Sequence, residues 1–351
     1  MEKIRLGITM GDINGIGAEV IIKTLSNSAL LEYCTPIVYG SSKIFSYHKK
    51  IVKADDLQVQ NLNSADRPYT GRINVVNCWQ ENVTVTLGKA TEDGGKYAYI
   101  ALDKATEDIN NGLIDVLVTA PINKEAMKMA DFPYPGHTEY LTQKFGGSQS
   151  LMMMVNDSLR VGLLSNHIPV SEVASKVTKE HFVKKLKIFN RSLKQDFGKE
   201  RPTIAVLGLN PHAGDNGTIG KEDLEILRPA IIEAKKNGAM VMGPYPADGF
   251  FGNREYQKFD GILAMYHDQG LIPFKTISFG NGVNFTAGLK IVRTSPDHGT
   301  AYNIAGKNEA DPSSFRNAVY NAIDIFRNRK DHSAIHANPI EKKPKPLEEK
   351  E

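Results

Sequence analysis

The chain predicts an α/β protein, with a parallel sheet packed between layers of helices. Two observations carry this. Apolar runs of four to eight residues recur along the chain, and amphipathic stretches at helical spacing lie between several of them. Strands that alternate with helices are joined by crossovers, which favour parallel pairing and bury both faces of the sheet. Nine runs read as buried strands: RLGITM, TPIVYG, INVVN, DVLVTA, LMMMV, RVGLLS, TIAVLGLN, GAMVMGP and GILAMY. KEHFVKKLKIFNRSLKQDF and KEDLEILRPAIIEAKKNG read as helices, the second stopped by Asn-Gly. In LMMMV, three consecutive methionines cannot all face one side of a strand. They are core on both faces, or else one face meets a partner subunit.

The 351 residues leave room for about two domains. A hydrophobic share of 41% and a charged share of 24% are ordinary for a soluble globular chain. The net charge of +3 gives no ground for a nucleic-acid partner, though it suits a small anionic substrate. Cys34 and Cys78 match no metal or redox spacing, which predicts a reducing, cytoplasmic setting. MEKIRLGITMGD lacks the apolar core of a signal peptide. No run reaches the roughly 18 apolar residues that a membrane span needs. The C-terminal stretch 331–351 is charged, contains proline and is nearly free of apolar residues beyond its first few positions, so a disordered tail is expected there.

Three of the strand runs lead into histidine: RVGLLSNH into His167, TIAVLGLNPH into His212 and GILAMYH into His267. In open α/β sheets ligands bind in the crevice outside the carboxyl ends of strands. One such histidine is explained as well by a bond to a nearby carbonyl. Three in the same topological position open a second reading, a divalent metal held by imidazoles with positions left for substrate. The histidines lie 45 and 55 residues apart, so topology rather than local spacing would have to bring them together. Asp268, beside His267, is then an extra ligand, a partner of the histidine or a base.

Anion-binding candidates surround these runs. PGHTEYL places His137 and Thr138 after Pro-Gly at the entry to a helix, where free amides attract anions. Lys275, Asn284 and Arg293 follow the third histidine run, and together can grip a phosphate or carboxylate. Any one of these cations could equally be a solvated surface charge. VTAPINKEAM ends a strand in Thr119, Asn123 and Lys124, which a plain strand-to-helix turn explains about as well. GDINGIG, residues 11–17, spaces its glycines G-x-x-x-G-x-G rather than as the dinucleotide fingerprint, so it reads as a tight turn at the cleft.

The loop DHGTAYNIAGKNEADP, residues 297–312, resembles the nucleotide loop of the isocitrate and isopropylmalate dehydrogenase group. GDINGIGAE, TAPINKEAM, PGHTEYL, SNHIPV, LGLNPHAG, GPYPAD, AMYHDQG and RTSPDHGTA occur in the order seen in the 4-hydroxythreonine-4-phosphate dehydrogenase family of vitamin B6 synthesis. The resemblance runs from about residue 4 to about residue 328. It implies two α/β/α domains with a cleft between them: 1–125 plus 285–330 carrying the NAD loop, and 126–284 carrying metal and substrate residues and a homodimer interface. It implies His167, His212 and His267 as ligands of one divalent metal (zinc, magnesium or cobalt). His137, Thr138, Lys275, Asn284 and Arg293 match substrate positions. His298, Gly299, Thr300 and Ala301 match the binding loop for NAD, or for NADP in its place.

The implied reaction is oxidation and decarboxylation of 4-phosphooxy-L-threonine to 3-amino-2-oxopropyl phosphate, with Asp248 and Asp268 as candidates for proton transfer. D-threonate or D-erythronate 4-phosphate is the alternative substrate, and a non-catalytic phosphometabolite-binding protein is the reading from another class. ADGFF stands where the family has ADTLF, and Met10, Ile13 and Ala18 replace typical residues of the first loop.

Overall fold

The computed structural model describes residues 3–146 and 149–337. Twelve strands form one sheet: β1 (Ile4–Thr9), β2 (Cys34–Gly40), β3 (Val59–Leu62), β4 (Ile73–Asn77), β5 (Val116–Thr119), β6 (Leu151–Val155), β7 (Arg160–Leu163), β8 (Thr203–Leu207), β9 (Met240–Tyr245), β10 (Gly261–Ala264), β11 (Val283–Ala287) and β12 (Arg293–Pro296). Their order is β3-β4-β2-β1-β5-β12-β11-β6-β7-β10-β8-β9.

The expected α/β architecture holds, and all nine apolar runs form strands. The sheet is not wholly parallel, however. β11 is antiparallel to both β12 and β6, and β6 is antiparallel to β7. The polarity therefore reverses in the middle, between one parallel group (β3, β4, β2, β1, β5, β12) and another (β7, β10, β8, β9). Apolar patterning misses β3 at the edge and β11 and β12 in the middle. β12 is Arg-Thr-Ser-Pro, polar in sequence yet buried at all four positions.

LMMMV resolves to core on both faces. Leu151, Met153 and Val155 join the main core, and Met152 and Met154 a second one on the other face. Helices cover the sheet. Glu92–Asn110 starts where the Thr91 side chain accepts from Gly94 N, with Glu92 and Asp93 favourable in the first turn. Lys179–Gln195 is capped in the same way by Thr178 and buries Phe182, Leu186, Phe189 and Leu193, one helical face. Phe189 lies over glycines of β7 and β10. A Cβ at Gly261 would come within 2.6 Å of its ring, and one at Gly162 within 3.3 Å. Burying a ring of this size stabilises the fold by about 1.5–3 kcal/mol, and it depends on those two strands carrying no side chain there.

The tail boundary expected at 331 falls inside a helix. Ser313–Ile335 continues past it, buried along Phe315, Ala318, Val319, Ala322 and Ile323 in its earlier turns. The rest of the expected tail, 338–351, lies outside the described residues.

Candidate active site

A cleft of about 280 Å³ opens over the middle strands, where the sheet changes polarity. Its apolar floor is Met152, Met154 and Leu271, and its walls carry Thr119, Lys124, His137, Thr138, His167, His267, Lys275, Asn284, Arg293, His298 and Gly299. Topology thus brings together residues spread over 180 positions of sequence, from Thr119 to Gly299.

Arg293 anchors one wall. It is 2% exposed, held by β12 against its neighbours. Nη2 donates to Thr119 Oγ1 at 2.6 Å and Nε to the same oxygen at 3.2 Å; Nη1 reaches Thr286 Oγ1 at 3.3 Å. Nη2 also lies 3.3 Å from His137 Nδ1. No carboxylate stands within ion-pair reach of it among the described residues. Burial pushes this guanidinium down to about 10, with the charge of Glu139 opposing. A buried cation with only hydroxyl and imidazole partners is costly unless a ligand anion completes it.

The orphaned polar atoms point the same way. His137 Nε2, Asn284 Oδ1 and His298 Nε2 are buried without a hydrogen-bond partner, and all three residues line the cleft. Native structures rarely leave such groups unpaired, so ligand atoms are the natural partners. Burial, followed by the charge of Arg293, drives His137 well below its ordinary value, so its imidazole is neutral and can donate or accept without adding charge. Thr138 and the exposed Lys275 complete this group at the rim.

The opposite wall carries two imidazoles. Ser165 Oγ donates to Met265 O at 2.7 Å, and Leu164 N and Ser165 N bond the carbonyls of Ala264 and Met265. These bonds stitch the exits of β7 and β10 together, so His167 and His267 come to lie with ring centroids 5.6 Å apart. His267 Nδ1 donates to Asp268 Oδ1 at 2.6 Å, which leaves Nε2 as its basic nitrogen. Burial first, then Lys124, pushes His167 below its usual value.

His212 does not join them. The exit of β8 is drawn aside by Asp223, whose carboxylate accepts from Leu209 N at 2.8 Å and Asn210 N at 3.0 Å. His212 then begins five consecutive left-handed residues, from φ 54° at His212 to φ 54° at Asn216, and is exposed. Among the described residues no group of three His, Cys, Asp or Glu side chains is placed to hold a metal ion. One chain offers two imidazoles where the sequence predicts three. Neither proton-transfer candidate lines the cleft: Asp268 is the exposed partner of His267, and Asp248 is exposed on the helix Ala247–Gly252.

The two glycine loops meet. Gly15 sits so close to Thr300 that a Cβ would lie 2.9 Å from its carbonyl oxygen. Ile16 N donates to that oxygen at 3.1 Å, and Tyr302 Oη donates to Asp12 Oδ2. The amides of Asp12, Asn14, Gly15 and Ile16 are all spent on protein acceptors, and through Gly15 and Ile16 GDINGIG buttresses the second loop. In that second loop His298 and Gly299 face the cleft, Thr300 is buried and Ala301 is left-handed at φ 43°. A Cβ on Gly299 would meet nothing within 4 Å, so this side of the loop is open.

Sequence reasoning left Thr119 as a turn residue, yet it is the main acceptor for Arg293; Asn123 is the plain helix cap, accepting from Ala126 N at 2.9 Å. Thr286 and Glu139 were not singled out, although Glu139 stands inside PGHTEYL.

The cleft of this α/β fold presents a buried guanidinium and unpaired polar atoms to whatever it holds. The chain belongs to the family described as Pyridoxal phosphate biosynthetic protein PdxA, whose model matches residues 32–322. A 4-hydroxythreonine-4-phosphate dehydrogenase of Bacteroides thetaiotaomicron is 53% identical over 344 residues, covering 97% of this chain and 94% of that protein. A crystal structure of a 4-hydroxythreonine-4-phosphate dehydrogenase from Burkholderia phymatum matches at TM-score 0.77 and 36% identity, covering 93% of this chain and 99% of that one. A protein of Oceanobacillus iheyensis, provisionally named D-threonate 4-phosphate dehydrogenase, is 38% identical over 328 residues, covering 92% of this chain and 98% of that protein. Among the described residues no helix is long and apolar enough to cross a membrane.

Proposed function

We propose that this chain is a cytoplasmic 4-hydroxythreonine-4-phosphate dehydrogenase, which oxidises and decarboxylates 4-phosphooxy-L-threonine in the cleft around Arg293, for pyridoxal phosphate synthesis. The observation that carries the reading is the buried guanidinium of Arg293 with no carboxylate partner, lining the cleft with the unpaired His137 and Asn284 atoms. Arg293, Lys275 and Thr138 bind the anionic ends of the substrate, and neutral His137 and Asn284 orient it by hydrogen bonds. Two domains, 1–125 with 285–330 and 126–284, border this cleft.

The open loop 297–301, with the unpaired His298 Nε2, fits the nucleotide part of NAD, and NADP is the variant of that assignment. NAD, when bound, supplies the hydride acceptor. The substrate hydroxyl loses its proton and its carbon becomes a ketone. The β-keto acid so formed then loses carbon dioxide, with cationic groups of the cleft stabilising the oxyanion that develops. Asp268 acts through His267: by accepting Nδ1–H it orients the ring and leaves Nε2 to face the cleft.

Among the described residues of one chain, His167 and His267 are the two imidazoles that stand together, and no third His, Cys, Asp or Glu joins them. A homodimer in which a second copy brings His212 against His167 and His267 would complete the three-histidine set. The test is NADH formation with the amino-acid phosphate and with D-threonate 4-phosphate, each with and without a chelator. Turnover of the amino-acid phosphate that is lost in Arg293→Ala supports the reading. Turnover of neither acid sinks it.

A further inference from the structure

Two carboxylates line the cleft, Glu139 and Asp297, among the cations Arg293, Lys275 and Lys124. They differ in what they already hold. Asp297 N donates to Ser314 Oγ at 3.0 Å, and that hydroxyl lies 2.7 Å from Gly282 O and 3.0 Å from Asp297 Oδ1, so this acid is held in a bonded turn of the fold. The Glu139 carboxylate has no hydrogen-bond or ion-pair partner among the described residues; no Lys, Arg or His nitrogen lies within 4.0 Å of it. It stands half-buried on the helix His137–Leu141, two residues after His137. It also borders a second cavity of about 460 Å³, shared with Thr138, Asn166 and Lys185, so it sits on the wall between the two spaces. Its charge reaches the anion site, favouring the charged forms of Arg293 and of His167.

An unpaired carboxylate on the wall of an anion site works against binding unless the ligand also carries a cation. Closing a purely anionic ligand into the cleft would strip water from Glu139 and give nothing back. A ligand with an ammonium group pairs it. We infer that Glu139 receives the substrate's ammonium group and so sets a preference for an amino-acid phosphate over the matching hydroxy-acid phosphate. This rests on the reading of the cleft as a phosphooxy-threonine site. The hydroxy acid has no charge to offer here.

The test compares the wild-type chain with Glu139→Gln and Glu139→Asp, using 4-phosphooxy-L-threonine and D-threonate 4-phosphate, both in turnover and in calorimetric titration. The expected result for Glu139→Gln is a fall of at least tenfold in the ratio of kcat/KM for the amino acid over the hydroxy acid. The loss should sit mainly in KM, and Glu139→Asp should keep part of the preference. Equal losses on both acids, or a loss confined to kcat, would overturn the inference and make Glu139 part of the reaction machinery. A wild-type chain that binds both acids equally overturns it whatever it turns over. Binding preference without turnover of either acid would sink the dehydrogenase reading while leaving the role of Glu139 standing.

Discussion

On the β12–β5 wall of the cleft, Arg293, Thr119, Thr286 and His137 are already fixed to one another, whereas on the β7–β10 wall two imidazoles stand close with no third donor beside them. The first wall is finished within one chain, because its side chains project from adjacent strands whose register is set by backbone bonds. The second ends in loops, and the third loop, after β8, is tied to Asp223 instead. The contrast is that the arginine wall is assembled within one copy of the fold, while among the described residues no third donor stands beside the two imidazoles.

Metal removal should break the contrast most. Chelation is expected to abolish turnover while calorimetry still detects phosphate at the arginine wall; full activity in metal-free protein would leave the imidazole wall without a metal role. The same idea predicts complementation. In a mixed dimer of His167→Ala and His212→Ala chains, a site that combines His167 and His267 of one copy with the other copy's His212 would be intact once and doubly damaged once. About half the wild-type activity should return per mixed dimer, as two-fold symmetry requires. No recovery in verified mixed dimers would place His167 and His212 of a site on the same chain.

On the other wall, Arg293→Ala should remove about 1.5–3 kcal/mol of charge-assisted binding, a loss of roughly tenfold to over a hundredfold in kcat/KM. Because the unliganded guanidinium is buried without a counter-charge, Arg293→Met should leave the melting temperature of the ligand-free protein unchanged or higher. A clear drop in melting temperature would mean that the arginine holds the fold rather than the ligand.

A smaller effect is expected from His137, held well below its ordinary value by burial and by Arg293. In the unfolded chain it takes a proton at about pH 6.5, but in the folded chain only at markedly lower pH. Between those limits the unfolded state binds more protons, so stability rises with pH and is lost on acidification below about 6.5. His137→Gln should flatten the dependence of melting temperature on pH in that window; an unchanged slope would assign it to other histidines, such as the buried His48, whose value burial also lowers. The smallest effect concerns the loops. Tyr302→Phe deletes the bond to Asp12. It should raise KM for NAD several-fold through about 1 kcal/mol of lost loop support, with KM for the phosphorylated acid nearly unchanged. Equal changes in both would place the second loop at the substrate instead.

Much of this site was legible before folding, because strand periodicity and residue chemistry are local. RVGLLSNH and GILAMYH announced strand ends carrying histidine, and the spacing of Phe182, Leu186, Phe189 and Leu193 announced a helix face. β11 and β12 were not legible. Neither is a continuous apolar run: Val283, Phe285 and Ala287 of β11 alternate with polar residues, and Arg-Thr-Ser-Pro of β12 has no large aliphatic or aromatic side chain, since both strands carry residues that border the polar cleft. Glu139 was invisible for a related reason: what marks it is the lack of a partner, which only the finished surroundings can show.

By itself, the sequence determined the α/β class, the strands that run into histidine, and the supply of imidazoles, cations and glycine loops. Each follows from periodicity and side-chain type within a few residues. Only the tertiary structure decided that the sheet reverses polarity at β11, that Arg293 is buried without a counter-ion, that GDINGIG packs against the second loop through Gly15 and Ile16, and that His212 turns away from His167 and His267. Those outcomes depend on strand register and on bonds between residues tens to hundreds of positions apart. Long-range pairings choose the direction of a side chain, and no short window of sequence contains them.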